Sequence, residues 1–164
     1  MKKIGIISLG CDKNRVDTEK MLGYLKGSDY VITDDIQDSE IIIINTCAFI
    51  EKARKESIDT ILDTVLLKEQ KCEKIIVSGC LSQKYLNDLT KELPEVDAFI
   101  GTSNYSDIIT IISRLYNGEQ YYSNIPNDND VIERVLTTPA HYAYLKIADG
   151  CDNRCTFCAI PDIR

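Results

Sequence analysis

The sequence has little histidine, no long apolar run and no excess of basic residues, and each absence narrows the function. His141 is the single histidine, and we expect a structural or surface role for it. No stretch approaches the roughly 20 apolar residues that cross a membrane, so no membrane partner is expected. The formal net charge is −7. Phosphate binding needs clustered lysine and arginine, so this chain is not expected to form the main binding surface for a nucleic acid.

Seven cysteines are present, yet a disulfide scaffold is not expected. The number is odd, and the chain has apolar segments long enough to form a core of their own. No secretion signal is recognisable, because the apolar run after Met1 stops at Cys11, too early for a signal peptide. The expected location is therefore the reducing cytoplasm, where spaced cysteines more often indicate metal binding or catalysis.

Residues 3–118 alternate short β-branched runs with longer helical stretches, which is typical of βαβ units and a parallel sheet. Helices are predicted over residues 48–68 and 105–116 from apolar residues at three- and four-residue steps. The pattern predicts an α/β fold, a flavodoxin-like doubly wound sheet of strand order 2-1-3-4-5. The predicted strands are Lys3–Ser8, Tyr30–Thr33, Ile41–Asn45, Lys74–Ser78 and Ala98–Ile100.

Three parts are predicted along the chain. Residues 1–118 form the first domain, and residues 119–138, polar and proline-containing, form a linker. Residues 139–164 are interpreted as the first strand, Tyr142–Ile147, and the cysteine loop of a truncated second domain.

The C-terminal cysteines Cys151, Cys155 and Cys158 have the spacing C-x-x-x-C-x-x-C. Three thiolates can hold three irons of a [4Fe-4S] cluster and leave the fourth iron open for a substrate, as an open zinc site does. A structural zinc site takes four ligands, and a ferredoxin takes four cysteines per cluster. The spacing therefore favours an open iron–sulfur site, with a chance arrangement of cysteines as the alternative.

Three other cysteines, Cys11, Cys47 and Cys80, each follow a predicted strand by two or three residues. In the order 2-1-3-4-5 these strands are neighbours. Neighbouring strands lie about 4.8 Å apart, so the three loops span about 10 Å at the edge where doubly wound folds bind ligands. The following helix N-termini favour thiolate. A second three-cysteine [4Fe-4S] site is predicted, and buried structural cysteines are the alternative.

The remaining polar residues near these motifs receive ordinary interpretations. Cys72 stands among charged residues and is interpreted as exposed and outside both sets. Asp17 and Glu19 are interpreted as a solvated helix face. Gly10 and Gly79 precede cysteines and are expected to allow tight turns or a close approach of the backbone to a cluster.

The two cysteine sets together resemble the methylthiotransferase family of radical S-adenosylmethionine (SAM) enzymes, and the resemblance covers the whole chain. It implies two [4Fe-4S] clusters and SAM as cofactors, with Phe157 beside the adenine of SAM. It implies that one cluster cleaves SAM to a 5′-deoxyadenosyl radical, while the other carries sulfur for insertion into an unactivated C–H bond. A second SAM supplies the methyl group. Residues 139–164 would then begin a radical-SAM β/α barrel, and Arg154 either pairs with the SAM carboxylate or lies in solvent.

Within that family, residues 8–19, 137–151 and 158–161 resemble the RimO branch. This implies methylthiolation of the β-carbon of an aspartate in a small-subunit ribosomal protein, with an electron donor such as flavodoxin or ferredoxin. The alternatives are a transfer RNA adenosine methylthiotransferase and, for the isolated fragment, a non-catalytic iron–sulfur or zinc-binding module. We expect a cytoplasmic transferase whose fragment alone is inactive, and no side chain is singled out as catalytic.

Overall fold

The computed structural model describes residues 1–125 and 133–164, and a six-stranded parallel sheet forms its centre. The strands are β1 (Lys2–Ser8), β2 (Tyr30–Thr33), β3 (Ile41–Thr46), β4 (Lys74–Gly79), β5 (Ala98–Ile100) and β6 (Tyr121–Ser123). The α-helices are α1 (Asp12–Leu25), α2 (Glu51–Val65), α3 (Cys80–Glu92) and α4 (Ile108–Tyr116). Short 3-10 turns cover Leu66–Glu69, Tyr105–Asp107 and Ile160–Asp162. Among the helices of the described residues, none is long and apolar enough to span a bilayer.

The strand order is β2-β1-β3-β4-β5-β6, so the predicted order 2-1-3-4-5 and the flavodoxin-like fold class are confirmed. All five predicted strands are present, and the predicted helices correspond to α2 and to α4 with the turn before it. The sheet places β1, β3 and β4 side by side in parallel register.

The core lies on both faces of the sheet, because strand β3 is buried on both sides. Ile41 to Ile44 are all fully buried. Ile42 and Ile44 belong to the core that α2 and α3 cover, with Ile61 and Leu81. Ile41 and Ile43 belong to the core that α1 and α4 cover. Successive side chains of a strand point to opposite faces, which explains the division.

The sixth strand lies inside the segment that was predicted as a linker, residues 119–138. Strand β6 pairs with β5, with Tyr121 opposite Ala98 and Ser123 opposite Ile100. Three residues are too few to show an alternating pattern, so residues 121–123 carry no strand signal of their own. Residues 126–132 of the predicted linker lie outside the described residues, and the domain boundaries stay a prediction.

The strand predicted over residues 142–147 is wrong: these residues have no regular secondary structure. A strand is held by hydrogen bonds to a neighbouring strand. In the described residues this segment instead lies beside α1, where Lys146 reaches Asp17 of that helix.

Cys72 is buried, so the interpretation of this residue as exposed is wrong. It is 5% exposed and belongs to the core that α2 and α3 cover. Its thiol donates to the carbonyl of Lys74 at 3.5 Å. Burial raises the pKa of this thiol to about 11. The turn before β4 alternates buried and exposed side chains, so Cys72 points into the core although its neighbours in the sequence are charged. The charged neighbours alone suggested an exposed position.

We expect Cys72 to resist alkylation in the folded, metal-free chain at pH 8. With a pKa of about 11, about one thiol in a thousand is ionised, and only the thiolate reacts. Cys151 is exposed and serves as the internal comparison. Timed iodoacetamide labelling read by peptide mass spectrometry measures both rates. If Cys72 in the folded chain is labelled at the same rate as Cys151, the thiol of Cys72 is not buried.

The central position of β3 predicts an unequal cost for two isoleucine substitutions. Ile44→Ala should lower the free energy of unfolding by about 2–5 kcal/mol, because it leaves a cavity in the core. Ile32→Ala on the edge strand β2, where the side chain is 39% exposed, should cost well under half of that. Urea unfolding followed by circular dichroism measures both. Equal losses would be inconsistent with the strand order described above.

Candidate metal centre

Cys11, Cys47 and Cys80 all line one cavity at the carboxyl edge of the sheet. Cys11 stands immediately before α1, Cys47 follows β3, and Cys80 is the first residue of α3. The cavity has a volume of about 630 Å³. The parallel register of β1, β3 and β4 brings the three residues to this edge, since all three strands end there.

A glycine lets the loop of Cys11 approach Cys47 closely. Gly10 has φ +88°, and a Cβ built on it would lie 2.5 Å from the Cβ and 2.9 Å from the Sγ of Cys47. Such distances are far inside van der Waals contact. Any larger residue would therefore push apart the two loops that carry Cys11 and Cys47, and its backbone would also be strained.

The three cysteines differ in exposure and in what fixes their backbone. Cys11 is exposed, whereas Cys47 and Cys80 are each 5% exposed. The Cys47 amide donates to the Ser57 hydroxyl at 3.0 Å, and that hydroxyl donates to the Cys47 carbonyl at 2.9 Å. Ser57, on α2, thus fixes the backbone of Cys47 through these two hydrogen bonds.

Asn14 connects all three strand ends, and sequence analysis missed it. Its side-chain amide donates to the carbonyls of Leu9 and Thr46, each at 2.9 Å. Its Oδ1 accepts from the thiol of Cys80 at 3.7 Å. An asparagine at the start of a helix carries no signal of its own in the sequence, because it is common in helix caps and turns.

Charged side chains of both signs line this cavity. Lys13, Lys52 and Arg164 are its cations, and Asp12 and Glu56 are its carboxylates. Burial raises the pKa of the Cys80 thiol, and the charge and hydrogen bond of Arg164 offset part of that rise. Three cations against two carboxylates leave a small excess of positive charge, which favours thiolate at this cavity.

Asp17 and Glu19 are fully buried, so the interpretation of a solvated helix face is wrong. Asp17 pairs with Lys146 at 2.6 Å and with Arg164 at 2.7 Å. Glu19 accepts from the amide of Thr137 at 2.8 Å and from its hydroxyl at 3.0 Å. The segment 133–164 packs over α1 and supplies these partners. No local pattern reveals them, because they lie more than a hundred residues further along the chain.

The second cysteine set lies on the surface. Cys151 and Cys155 are exposed, and Cys158 is partly buried. Cys155 and Cys158 line a common depression, and the amide of Cys158 donates to the carbonyl of Cys155 at 3.0 Å. The side-chain amide of Asn153 lies 3.5 Å from the Sγ of Cys151.

Among the described residues, Cys11, Cys47 and Cys80 line one cavity and Cys155 and Cys158 line another, and the segment after Cys158 reaches the first of them. Ile160, Ile163 and Arg164 line the cavity of the first set. The Phe157 side chain is 91% exposed. Arg154 is exposed and has φ +48°.

The donor set at this cavity consists of three thiols, the ligand type that iron–sulfur clusters take. Across the residues described, no group of three or more histidine, cysteine, aspartate or glutamate side chains is placed to hold one metal ion. Thiolates on one zinc lie about 2.3 Å from it, hence within about 4.6 Å of one another. A cluster binds each thiolate to a different iron, so its cysteines stand further apart. A volume of about 630 Å³ has room for the eight atoms of a cubane.

This chain is similar, over nearly its whole length, to several curated proteins. Two are named "Ribosomal protein uS12 methylthiotransferase RimO". The one from Acetivibrio thermocellus is 49% identical over 177 residues, covering 99% of this chain and 38% of the relative. The one from Thermoanaerobacter sp. is 49% identical over 168 residues, covering 100% and 38%. The chain thus spans about 38% of the length of these curated relatives.

A family model described as "Uncharacterized protein family UPF0004" matches residues 3–101. The matched residues contain all of β1 except Lys2, the strands β2 to β5, and the whole first cysteine set. This match extends over more than half of the chain, and the chain therefore belongs to the UPF0004 family.

Proposed function

We propose that this chain is part of a radical SAM methylthiotransferase that modifies a ribosomal protein of the small subunit. One observation carries the proposal: Cys11, Cys47 and Cys80 line a single cavity, in a chain that also carries a C-x-x-x-C-x-x-C loop. The names of the relatives support the reaction and the substrate. The modified atom in this proposal is the β-carbon of an aspartate.

Each cysteine set would hold one [4Fe-4S] cluster with an iron left open. Cys11, Cys47 and Cys80 are the ligands at the sheet edge, and Cys151, Cys155 and Cys158 are the ligands in the loop. Phe157 would lie beside the adenine of SAM. When bound, the clusters and SAM supply the radical, the sulfur atom and the methyl group, which is chemistry that protein side chains lack.

The chain's own residues prepare the first site for such a group. Phe49, Ile50 and Ile160 form an apolar part of the cavity lining. Lys13 and Lys52 offset the negative charge that three thiolates bring together. Asn14 fixes the relative positions of the loops.

A protein substrate agrees better with the charge of the chain than transfer RNA does. The formal net charge of −7 repels phosphate, whereas ribosomal proteins that bind RNA are basic. A ribosomal substrate also implies a cytoplasmic location. The proposal includes an electron donor such as flavodoxin or ferredoxin, because the chemistry needs an electron from outside the chain.

Iron content after anaerobic reconstitution tests the two sites. We expect about eight irons and eight acid-labile sulfides per chain, from two cubanes. Replacing Cys11, Cys47 and Cys80 by alanine should leave about four, and so should replacing Cys151, Cys155 and Cys158. Cys72→Ala is the matched control and should keep about eight. Iron, sulfide and zinc are measured in the same samples.

Two results of this experiment would contradict the proposal. Zinc without iron would indicate a zinc-binding module. Iron that falls in the Cys72→Ala variant as much as in the triple variants would mean that the cysteine sets are assigned wrongly.

The substrate is tested with a protein of the relatives' full length that contains this chain. We expect mass spectrometry to find one methylthio group on an aspartate of the small-subunit ribosomal protein, and none on transfer RNA incubated in parallel. Modification of the transfer RNA alone would overturn the substrate assignment.

A further inference from the structure

A cation from the segment after the second cysteine set is buried beside the first set. The side chain of Arg164 is 3% exposed, and it lines the cavity of Cys11, Cys47 and Cys80. Its Nη2 donates to Asp17 Oδ2 at 2.7 Å and to Asn14 Oδ1 at 3.0 Å. The same Asn14 oxygen accepts from the Cys80 thiol. Arg164 therefore touches the group that orients Cys80.

Arg164 is also fixed to the beginning of the C-terminal cysteine loop. Its Nη1 donates to Asp149, which Lys146 contacts at 3.0 Å. Gly150 has φ +114°, and a Cβ built there would lie 2.6 Å from the Arg164 carbonyl oxygen. Residues 150 and 164 thus meet, and the loop with Cys151, Cys155 and Cys158 is closed at its base by the same arginine.

We propose that Arg164 is a positioning residue for Cys80, so that metal retention by Cys11, Cys47 and Cys80 depends on the loop that carries the second cysteine set. This inference rests on the proposed iron–sulfur site. Groups that hold metal ligands from behind commonly change metal affinity about 10- to 100-fold when they are removed. Arg164 acts in this way through Asn14 and through its charge beside Cys80.

Arginine suits this position better than lysine does. The guanidinium is always charged, and its planar fork donates in several fixed directions at once. Here those directions lead to Asn14, Asp17 and Asp149. A lysine would keep the charge but could not hold the three partners in one plane.

The chain contains a matched control in Arg134. This arginine also belongs to the C-terminal segment, and its Nε lies 3.5 Å from the buried carboxylate of Glu19 on α1. Glu19 stands five residues beyond Asn14, more than one helical turn away. Arg134→Gln therefore removes a comparable ion pair from the same interface, away from the cysteine cavity.

The test measures iron release from the first set alone. In chains with Cys151, Cys155 and Cys158 replaced by alanine, the reconstituted iron is transferred anaerobically to a chelator and followed by absorbance. Arg164→Gln should release iron about 10- to 100-fold faster than its parent. Arg134→Gln should release it at the parent rate. Arg164→Lys should lie nearer to Arg164→Gln, because the charge without the fork does not hold Asn14.

A second measurement separates positioning from a general loss of stability. Removing a positive charge near a cluster makes its reduction potential more negative. Arg164→Gln should show this shift in an electron paramagnetic resonance titration, and Arg134→Gln should not. Circular dichroism of the metal-free variants verifies that each is folded. If Arg164→Gln does not fold, Arg164→Lys decides the matter by iron release, which should still be faster than in the parent, whereas its potential should stay near the parent value because the charge is kept.

Parent-like release and potential in Arg164→Gln would overturn the inference, and so would equal acceleration in Arg134→Gln. A parent chain that takes up no iron would overturn the proposed site itself, and the inference with it. Iron uptake by the parent therefore separates a failure of the inference from a failure of the proposed function.

Discussion

The positions of Cys11, Cys47 and Cys80 depend on the parallel register of β1, β3 and β4. Ser8, Asn45 and Ser78 are aligned across the three strands, and the cysteines follow two or three residues later on each. A slip of one residue would turn every side chain of a strand to the other face. Such a slip in β3 would exchange the isoleucines of the two cores. The packing of Ile41 to Ile44 therefore also fixes where the thiols lie.

At the carboxyl edge, this apolar core gives way to a buried polar layer. Asn45, Thr46 and Ser78 are fully buried, and buried polar groups are costly unless they are hydrogen-bonded. The Asn45 amide donates to the Asn14 carbonyl at 2.8 Å, and the Thr46 hydroxyl donates to the Ser78 carbonyl at 2.5 Å. The first bond connects the end of β3 with α1, and the second connects the ends of β3 and β4, so the loops above them are held in place before any ligand binds.

The features that sequence could predict are those with a local period. Ile41 to Ile44 and the other β-branched runs mark the strands. The strand order then places the cysteines that follow three of these strands at the same edge of the sheet. The features it missed depend on contacts between distant residues. Asp17 and Glu19 look like any solvated acidic pair until Lys146 and Thr137 are placed against them. β6 is too short for a period. Residues 142–147 have a strand-like pattern, but no strand within residues 1–125 or 133–164 pairs with them.

Those distant contacts also make the stability of residues 1–118 depend on the segment after them. Asp17 is fully buried between Lys146 and Arg164. Removing the partners of a buried charge costs about 3–5 kcal/mol, which is a large share of the 5–15 kcal/mol that stabilises a typical domain. Helix α1 therefore belongs energetically to two parts of the chain. The sheet holds the helix in position, and residues 133–164 supply the cations that pair with its buried carboxylates. Because α1 begins directly after Cys11 and carries Asn14, the same electrostatic balance that attaches the C-terminal segment also sets the geometry of the cysteine cavity.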